Sequence, residues 1–514
     1  MERLSLEEKI GQMVMVGFHG LKAPDYILDW LDESRIGGVI LFARNVDSPQ
    51  QLAELTKTLH SSAKYPILIA IDQEGGTVAR LRTEYSESPG AMALGAADDP
   101  ELTTQVSGVL ATELRALGIN WNLAPAIDLT HNIHNPSVGT RSIGVDPEHV
   151  TRHALAQVTG FQSNGVAATA KHFPGKANTP VDPHVELPVI EGGLKEMWNT
   201  DLVPFRAVCN AGIAAVMITH VQFKDIEPIY PSTLSPRIIS GLLRKKMCYT
   251  GLITTDCMEM KAVTNKYGPG ESAVLAAIAG ANTVLFSHTR VYQEEVYDTL
   301  LEAAESGRLT MSQIDYSVQR IDEVKSRYPF EPRPPLSIIR QPSHLELTLG
   351  AARAGLVLLH NDGMLIPLRQ DKNIGLIEFA SHIEQPRLSK GSKTVFAALL
   401  NDRFPALTPV WLDPVSPTDA QKIHAEQIAE SGSKVIVATR NAHISPAQRA
   451  EARRYLNENS VLVCLRNPYD AGVLHSKTVL LTLGDSTPSI QVAVETLRGD
   501  YTPRAKLKVP LTMK

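Results

Sequence analysis

GLITTDCMEM, residues 251–260, runs apolar through Leu252 and Ile253 and meets its first charge at Asp256. A parallel strand covered on both faces reads as a short apolar run without alternation, and here the run ends on a carboxylate. Seven further runs share this character: MVMVGF (13–18), GGVILFA (37–43), PILIAID (66–72), INWNLAPAID (119–128), VAATAKHF (166–173), AAVMITHV (214–221) and NTVLFSH (282–288). Helical patterns separate them. Eight such strands alternating with helices over about 300 residues predict a (β/α)8 barrel of the TIM type. Polar residues gather where the runs end: Asp72, Asp128, Lys171 with His172, His220, Asp256 and His288. Packing alone needs no charge there, whereas barrel enzymes build their sites at the carboxyl ends of the strands. The mouth is therefore the expected active site.

Outward from the barrel, SRYPFEPRPPLSIIRQPSHLE (326–346) carries five prolines and reads as an extended linker. New runs follow: AGLVLLH (354–360), NIGLIEFA (373–380), SKVIVATR (433–440), VLVCLR (461–466) and TVLLTLG (478–484). Helical stretches at 416–431 and 445–458 separate them, with Ser416 and Ser445 as expected N-caps. The reading is an α/β chain in three parts: a barrel over 1–325, a linker over 326–346, and a second α/β layered-sheet domain over 347–514. No internal repeat or low-complexity tract interrupts it.

Composition narrows the function. At 514 residues the chain exceeds one ordinary core, and 43% hydrophobic with 20% charged residues is average for a globular protein. A net charge of −5 argues against a nucleic-acid partner. No stretch approaches the roughly 18 apolar residues of a membrane span. The opening MERLSLEEKIGQM lacks the pattern of a secretory signal, and Cys209, Cys248, Cys257 and Cys464 form no CxxC pair, so a cytoplasmic location is expected. His131 and His134 stand three apart without companion ligands, and neither a phosphate-loop nor a GxSxG motif is present. No metal and no cofactor are expected. A monomer or weak homodimer is expected.

The densest chemistry lies in KHFPGKANTPVDPHVELP (171–188). Pro183 pushes Asp182 toward extended backbone, and residues two apart on extended backbone share a face. Asp182 and His184 can thus point the same way, the carboxylate holding one ring nitrogen while the other exchanges a proton with substrate. Read alone, the pair could equally be solvated loop residues. Asp256 alone could equally cap a helix beginning near Met258, and Asp72 shares that ambiguity. Arg141 and Lys171 suit anion or sugar-hydroxyl binding, or a loop ion pair.

Taken together, six segments in order resemble glycoside hydrolase family 3, in its β-N-acetylglucosaminidase branch. They are DQEGGTVARL (72–81), GINWNLAPAIDL (118–129), NPSVGTRSIG (135–144), KHFPG…DPH (171–184), STLSPRIISGLLR (232–244) and GLITTDCMEMKAV (251–263). The segment 483–511 is similar to the close of the family's second domain. The resemblance implies Asp256 as nucleophile, His184 as acid/base with Asp182 as its partner, and Asp72, Arg80, Arg141, Lys171 and His172 around the terminal N-acetylglucosamine. It implies a retaining exo-β-N-acetylglucosaminidase acting on a small saccharide or muropeptide, from peptidoglycan or chitin fragments. A β-N-acetylglucosaminide phosphorylase and a non-catalytic sugar-binding relative are the alternatives. The chain departs from the family pattern at Lys176-Ala177, where His or Asp then Gly is usual, at Pro183, usually Ser or Thr, and at Thr77, usually Arg.

Overall fold

The computed structural model describes residues 4–179, 181, 186–368, 373–380 and 394–512. Eight parallel strands close into a barrel: β1 (Val14–Val16), β2 (Gly38–Leu41), β3 (Leu68–Ile71), β4 (Trp121–Asn122), β5 (Ala167–Phe173), β6 (Ala215–Ile218), β7 (Leu252–Cys257) and β8 (Thr283–Phe286). Each pairs with its neighbour in sequence, and β8 pairs with β1 to shut the ring. Every residue of these strands is buried except Asp256 and Cys257 at the end of β7, which are half-buried. One face fills the barrel and the other packs under helices, which is why the runs show no alternation.

The fourth run is the exception in length. A strand over 119–128 is the expectation, but only Trp121–Asn122 pair as strand. Pro125 brings no N–H to a ladder. The chain rejoins β5 beyond it, Ile127 N donating to the Lys171 carbonyl at 2.7 Å. That bond sets Asp128 beside His172.

The second sheet holds β9 (Val357–Asn361), β10 (Ile374–Phe379), β11 (Leu407–Leu412), β12 (Lys434–Thr439), β13 (Ser460–Cys464) and β14 (Thr478–Leu481). Its order is β9-β14-β13-β12-β10-β11, with β9 antiparallel and the rest parallel. The chain reverses direction across the sheet between β10 and β12, the switch point at which open α/β sheets usually gather polar side chains. Sequence patterning missed β11. It contains Pro409 and lies at the sheet edge, where a missing donor is tolerated. A second correction concerns a cap: Thr418, not Ser416, caps the helix Asp419–Glu430, because Thr418 forms a reciprocal box with Gln421. Ser445 caps Pro446–Tyr455 as expected. The proline-rich stretch ends in a helix, Pro342–Gly355, so its last residues are not extended.

The two sheets meet through side chains and close backbone. Tyr469 Oη lies 2.9 Å from Thr130 Oγ1, and Thr487 Oγ1 donates to Glu87 at 2.6 Å. Gly139, at φ +45°, leaves no room for a side chain: a Cβ there would lie 2.5 Å from Asn467 Oδ1. The carboxyl ends of the second sheet's strands therefore brace the barrel loop that carries Arg141.

Candidate active site

At the barrel mouth a cavity of about 240 Å3 is lined by Asp72, Arg80, Arg141, Lys171, His172, Lys176 and Asp256, with apolar walls from Phe42, Met217 and Leu285 among others. Local sequence explains how the first of these arrive. Asp72 and Glu74 follow β3 two residues apart, and both carboxylates reach Lys171. Lys171 Nζ lies 2.7 Å from Asp72 Oδ1 and 2.6 Å from Glu74 Oε1. Gly75 and Gly76, at φ +91° and +57°, then turn the chain back. A Cβ at Gly75 would sit 2.6 Å from that of Ser88, so the turn needs glycine twice over. The returning strand is pinned by Gln73 Oε1, which accepts from the backbone of Arg80 and Leu81. Arg80 Nη2 thereby reaches Asp72 Oδ2 at 3.1 Å.

Arg141 forms a two-pronged bond to Glu74, Nε at 2.9 Å and Nη2 at 2.8 Å, and donates from Nη1 to the Ser137 carbonyl. Its Nη2 also lies 3.2 Å from His172 Nε2. A guanidinium only donates, so His172 Nε2 accepts and Nδ1–H is the donor to Asp128 Oδ2 at 2.8 Å. Burial works against charge here, yet the pairs prevail. Burial raises the Glu74 carboxyl, but Arg141 and Lys171 hold it down to about 2. Asp72 is likewise held well below the carboxylate range, against its burial, by Lys171 and Arg80. Burial pushes Asp128 up.

Asp256 is placed differently. It is no helix cap: the next helix, Lys261–Tyr267, has Met260 at its N-cap, and Asp256 Oδ1 instead accepts from the Cys257 N–H at 2.8 Å. Among the described residues it forms no ion pair. His220, another polar strand end, turns away to hydrogen-bond the Cys257 carbonyl at 2.9 Å and brace this strand end.

Of the residues singled out in sequence, Asp72, Arg80, Arg141, Lys171, His172 and Asp256 come together around one cavity. Asp182 and His184 lie outside the described residues. Glu74, Asp128 and Lys176 belong to the same network and went unassigned. Glu74 was legible from its spacing to Asp72, and Asp128 from its strand-end position. Thr77, at one departure from the family pattern, bonds Thr140 at 3.1 Å, beside the Arg141 loop.

No metal centre emerges from the histidines among the described residues. His131 pairs with Asp201 at 3.6 Å. Asp98, His149 and His153 do approach as ligands would. Arg152 Nη2, however, sits 3.3 Å from Asp98 Oδ1 and 3.1 Å from His149 Nδ1, the place a cation would take, and Lys508 holds the other carboxylate oxygen.

The sequence model described as Glycosyl hydrolase family 3 N terminal domain matches residues 5–324. β-Hexosaminidase A of Pseudoalteromonas piscicida is 32% identical over 382 residues, covering 68% of this chain and 64% of that protein. The chain thus spans less than two-thirds of that relative's length. A β-hexosaminidase of Stenotrophomonas maltophilia strain R551-3 is 35% identical over 291 residues, covering 55% of this chain and 86% of the relative. A solved family 3 β-N-acetylglucosaminidase from Paenibacillus sp. str. FPU-7 superposes with a TM-score of 0.93 at 35% identity, over 99% of this chain and 100% of that one. A β-glucoside phosphorylase shares the fold at a TM-score of 0.82 and 24% identity.

Proposed function

The chain belongs to glycosyl hydrolase family 3 and is a glycosidase, and from that premise we propose that it is a retaining exo-β-N-acetylglucosaminidase with Asp256 as nucleophile and His184, held by Asp182, as acid/base. One observation carries the assignment of the nucleophile. Of the two carboxylates lining the cavity, Asp72 is paired to Lys171 and Arg80, whereas Asp256 has no ion-pair partner among the described residues. A nucleophile needs an oxygen that no fixed cation already holds.

The chemistry follows in two steps. An Asp256 oxygen attacks the anomeric carbon while the bond to the leaving oxygen breaks, and the proton of His184 passes to that oxygen. Water then attacks the same carbon, yields its proton to His184, and releases Asp256 as carboxylate, with net retention. Asp72, Arg80, Arg141, Lys171 and His172 are the binding set for the terminal sugar. Their ion pairs hold donors and acceptors at fixed positions around its hydroxyls, the kind of preorganisation that binding a neutral polar ligand requires. The curated hexosaminidase relatives and the solved acetylglucosaminidase support N-acetylglucosamine as that sugar, from peptidoglycan- or chitin-derived fragments.

A second reading, transfer to phosphate, is favoured by Lys176, a lining cation without an ion pair among the described residues. Arg80, Arg141, Lys171 and Lys176 stand there with Asp72 and Asp256. Esterifying Asp256 removes one negative charge and favours an anionic acceptor. Product analysis in phosphate buffer separates the two: sugar 1-phosphate supports the second reading, and free N-acetylglucosamine alone removes it. For the acid/base, His184→Ala should spare an aryl glycoside with a good leaving group in the first step and cripple natural substrates. Equal loss on both would reject the role. A matching aryl glucoside hydrolysed as fast as the N-acetylglucosaminide would reject the substrate class.

A further inference from the structure

The structure gives Lys176 a place the rest of the network does not explain. Its backbone is fixed at both ends: N donates to Asp128 Oδ1 at 2.9 Å, and its carbonyl accepts from Asn135 Nδ2 at 3.1 Å. The residue is only 4% exposed and lines the cavity with Asp256. Yet among the described residues its ammonium makes no hydrogen bond and no ion pair, in contrast to Lys171, which is held by two carboxylates.

We propose that Lys176 is a positioning residue for the second half of the reaction: its ammonium faces Asp256 and stabilises the carboxylate that must be released when the glycosyl-enzyme is hydrolysed. This rests on Asp256 being the nucleophile. The neighbours select that partner. The charged groups acting most strongly on Lys176 are Arg141, Asp256, Asp128 and Lys171, from three strand ends and the 135–141 loop; Asp72, Arg80, His172 and His288 line the same cavity. Arg141 and Lys171 repel it and are themselves held by Glu74. Asp128 already accepts from His172 and from the Lys176 backbone. Asp256 is the remaining anion. While the sugar is esterified to Asp256 that charge is gone, and the ammonium stands uncompensated in a half-enclosed cavity. Breaking the ester restores a negative charge on Asp256 in the same cavity. The attraction therefore favours release over attack, because it acts on the carboxylate as product of the second step.

Burial, with repulsion from Arg141, pulls the Lys176 ammonium down to about 8, against the attraction of Asp256 and Asp128. It carries its charge below that pH and loses it above. In the glycosyl-enzyme the attraction of Asp256 is gone, so the charge is lost at a lower pH than in the free enzyme, and release should slow as pH rises toward about 8.

The test measures release directly. The enzyme is labelled with a 5-fluoro-N-acetylglucosaminyl fluoride, the labelled residue is identified by mass spectrometry, and reactivation is followed from pH 6 to 10 for the parent, Lys176→Arg and Lys176→Met. We expect the label on Asp256 and parent reactivation already falling as pH rises toward about 8. Lys176→Arg, always charged, should keep reactivation level well past that pH. Lys176→Met should reactivate about tenfold more slowly, without that pH dependence, while its labelling rate stays within about threefold. Should Lys176→Met fail to fold, the pH profiles of parent and Lys176→Arg carry the test. Label on Asp256 with the same pH profile in all folded proteins rejects the role of Lys176 alone. Label elsewhere rejects the nucleophile beneath it.

Discussion

The barrel mouth and the carboxyl edge of the second sheet both gather buried ions at the ends of parallel strands, yet they close differently. In the second sheet Arg440, 2% exposed, donates to Glu378 and to the Phe379 carbonyl, both at 2.8 Å. Asp470, fully buried, accepts from Thr439, from His443 N and from His443 Nδ1. Arg466 pairs with Asp485 at 2.7 Å. These pairs are turned on one another. At the mouth the pairs of Asp72 and Glu74 with Lys171, Arg80 and Arg141 leave Asp256 and Lys176 over, both facing a cavity. A charge at a strand's carboxyl end therefore does not mark a site by itself. What marks one is a carboxylate or donor that the protein's own pairs leave uncommitted. The closed pairs still matter to the mouth, since the loops they anchor brace Gly139 and Thr130 near Arg141.

Substitutions should separate the two regions. Asp256→Ala should lower kcat by on the order of 10^4-fold with an unchanged thermal melt; a loss under about tenfold would place the nucleophile elsewhere. Glu378→Gln, in the closed region, should do the reverse. It leaves Arg440 buried beside a neutral amide and should cost about 3–5 kcal/mol, read from the urea midpoint, with kcat/KM of the folded enzyme within about threefold.

Acid should act through the mouth. Glu74 is held at about 2 in the folded protein against an ordinary 4.5, so the unfolded chain binds its proton first. Its stabilisation, about 3 kcal/mol by linkage, is fully present above the ordinary carboxylate range and lost as pH falls through about 2; Asp72 acts in the same sense. A Glu74→Gln protein should show a shallower fall in melting temperature between pH 5 and 2, and an unchanged slope would reject this account. The smallest expected effect tests the brace. Asn467→Ala removes the contact with Gly139 and the bond to Asn441 Oδ1 at 2.7 Å, and should raise KM about threefold without changing kcat. A larger fall in kcat would mean that the second sheet reaches the reacting groups themselves.

No helix among the described residues is long and apolar enough to cross a membrane. The barrel was legible because strands buried on both faces must be apolar throughout, and eight such runs leave a distinctive count. Where the rule failed it failed for stated reasons: Pro125 cut β4 to two residues, and Pro409 hid an edge strand. The site was legible in part. Residues at strand ends, such as Asp72, Lys171 and Asp256, announce themselves because the run places them at the mouth. Glu74 offered only its spacing from Asp72, and its ion pairs to Arg141 and Lys171 reveal its use.

Sequence alone thus determined the succession of the barrel strands, the end of the barrel that carries charge, and the family resemblance carried by six motifs, because each is written in local pattern. Which ions neutralise one another was decided only by the tertiary structure. Arg141 meets Glu74 across 67 positions, and Lys171 meets Asp72 across 99. Coulomb energy depends on distance in space and on burial, neither of which is recorded in the spacing of residues along a chain. That pairing, and not the count of charges, leaves Asp256 and Lys176 without an ion pair among the described residues around one cavity.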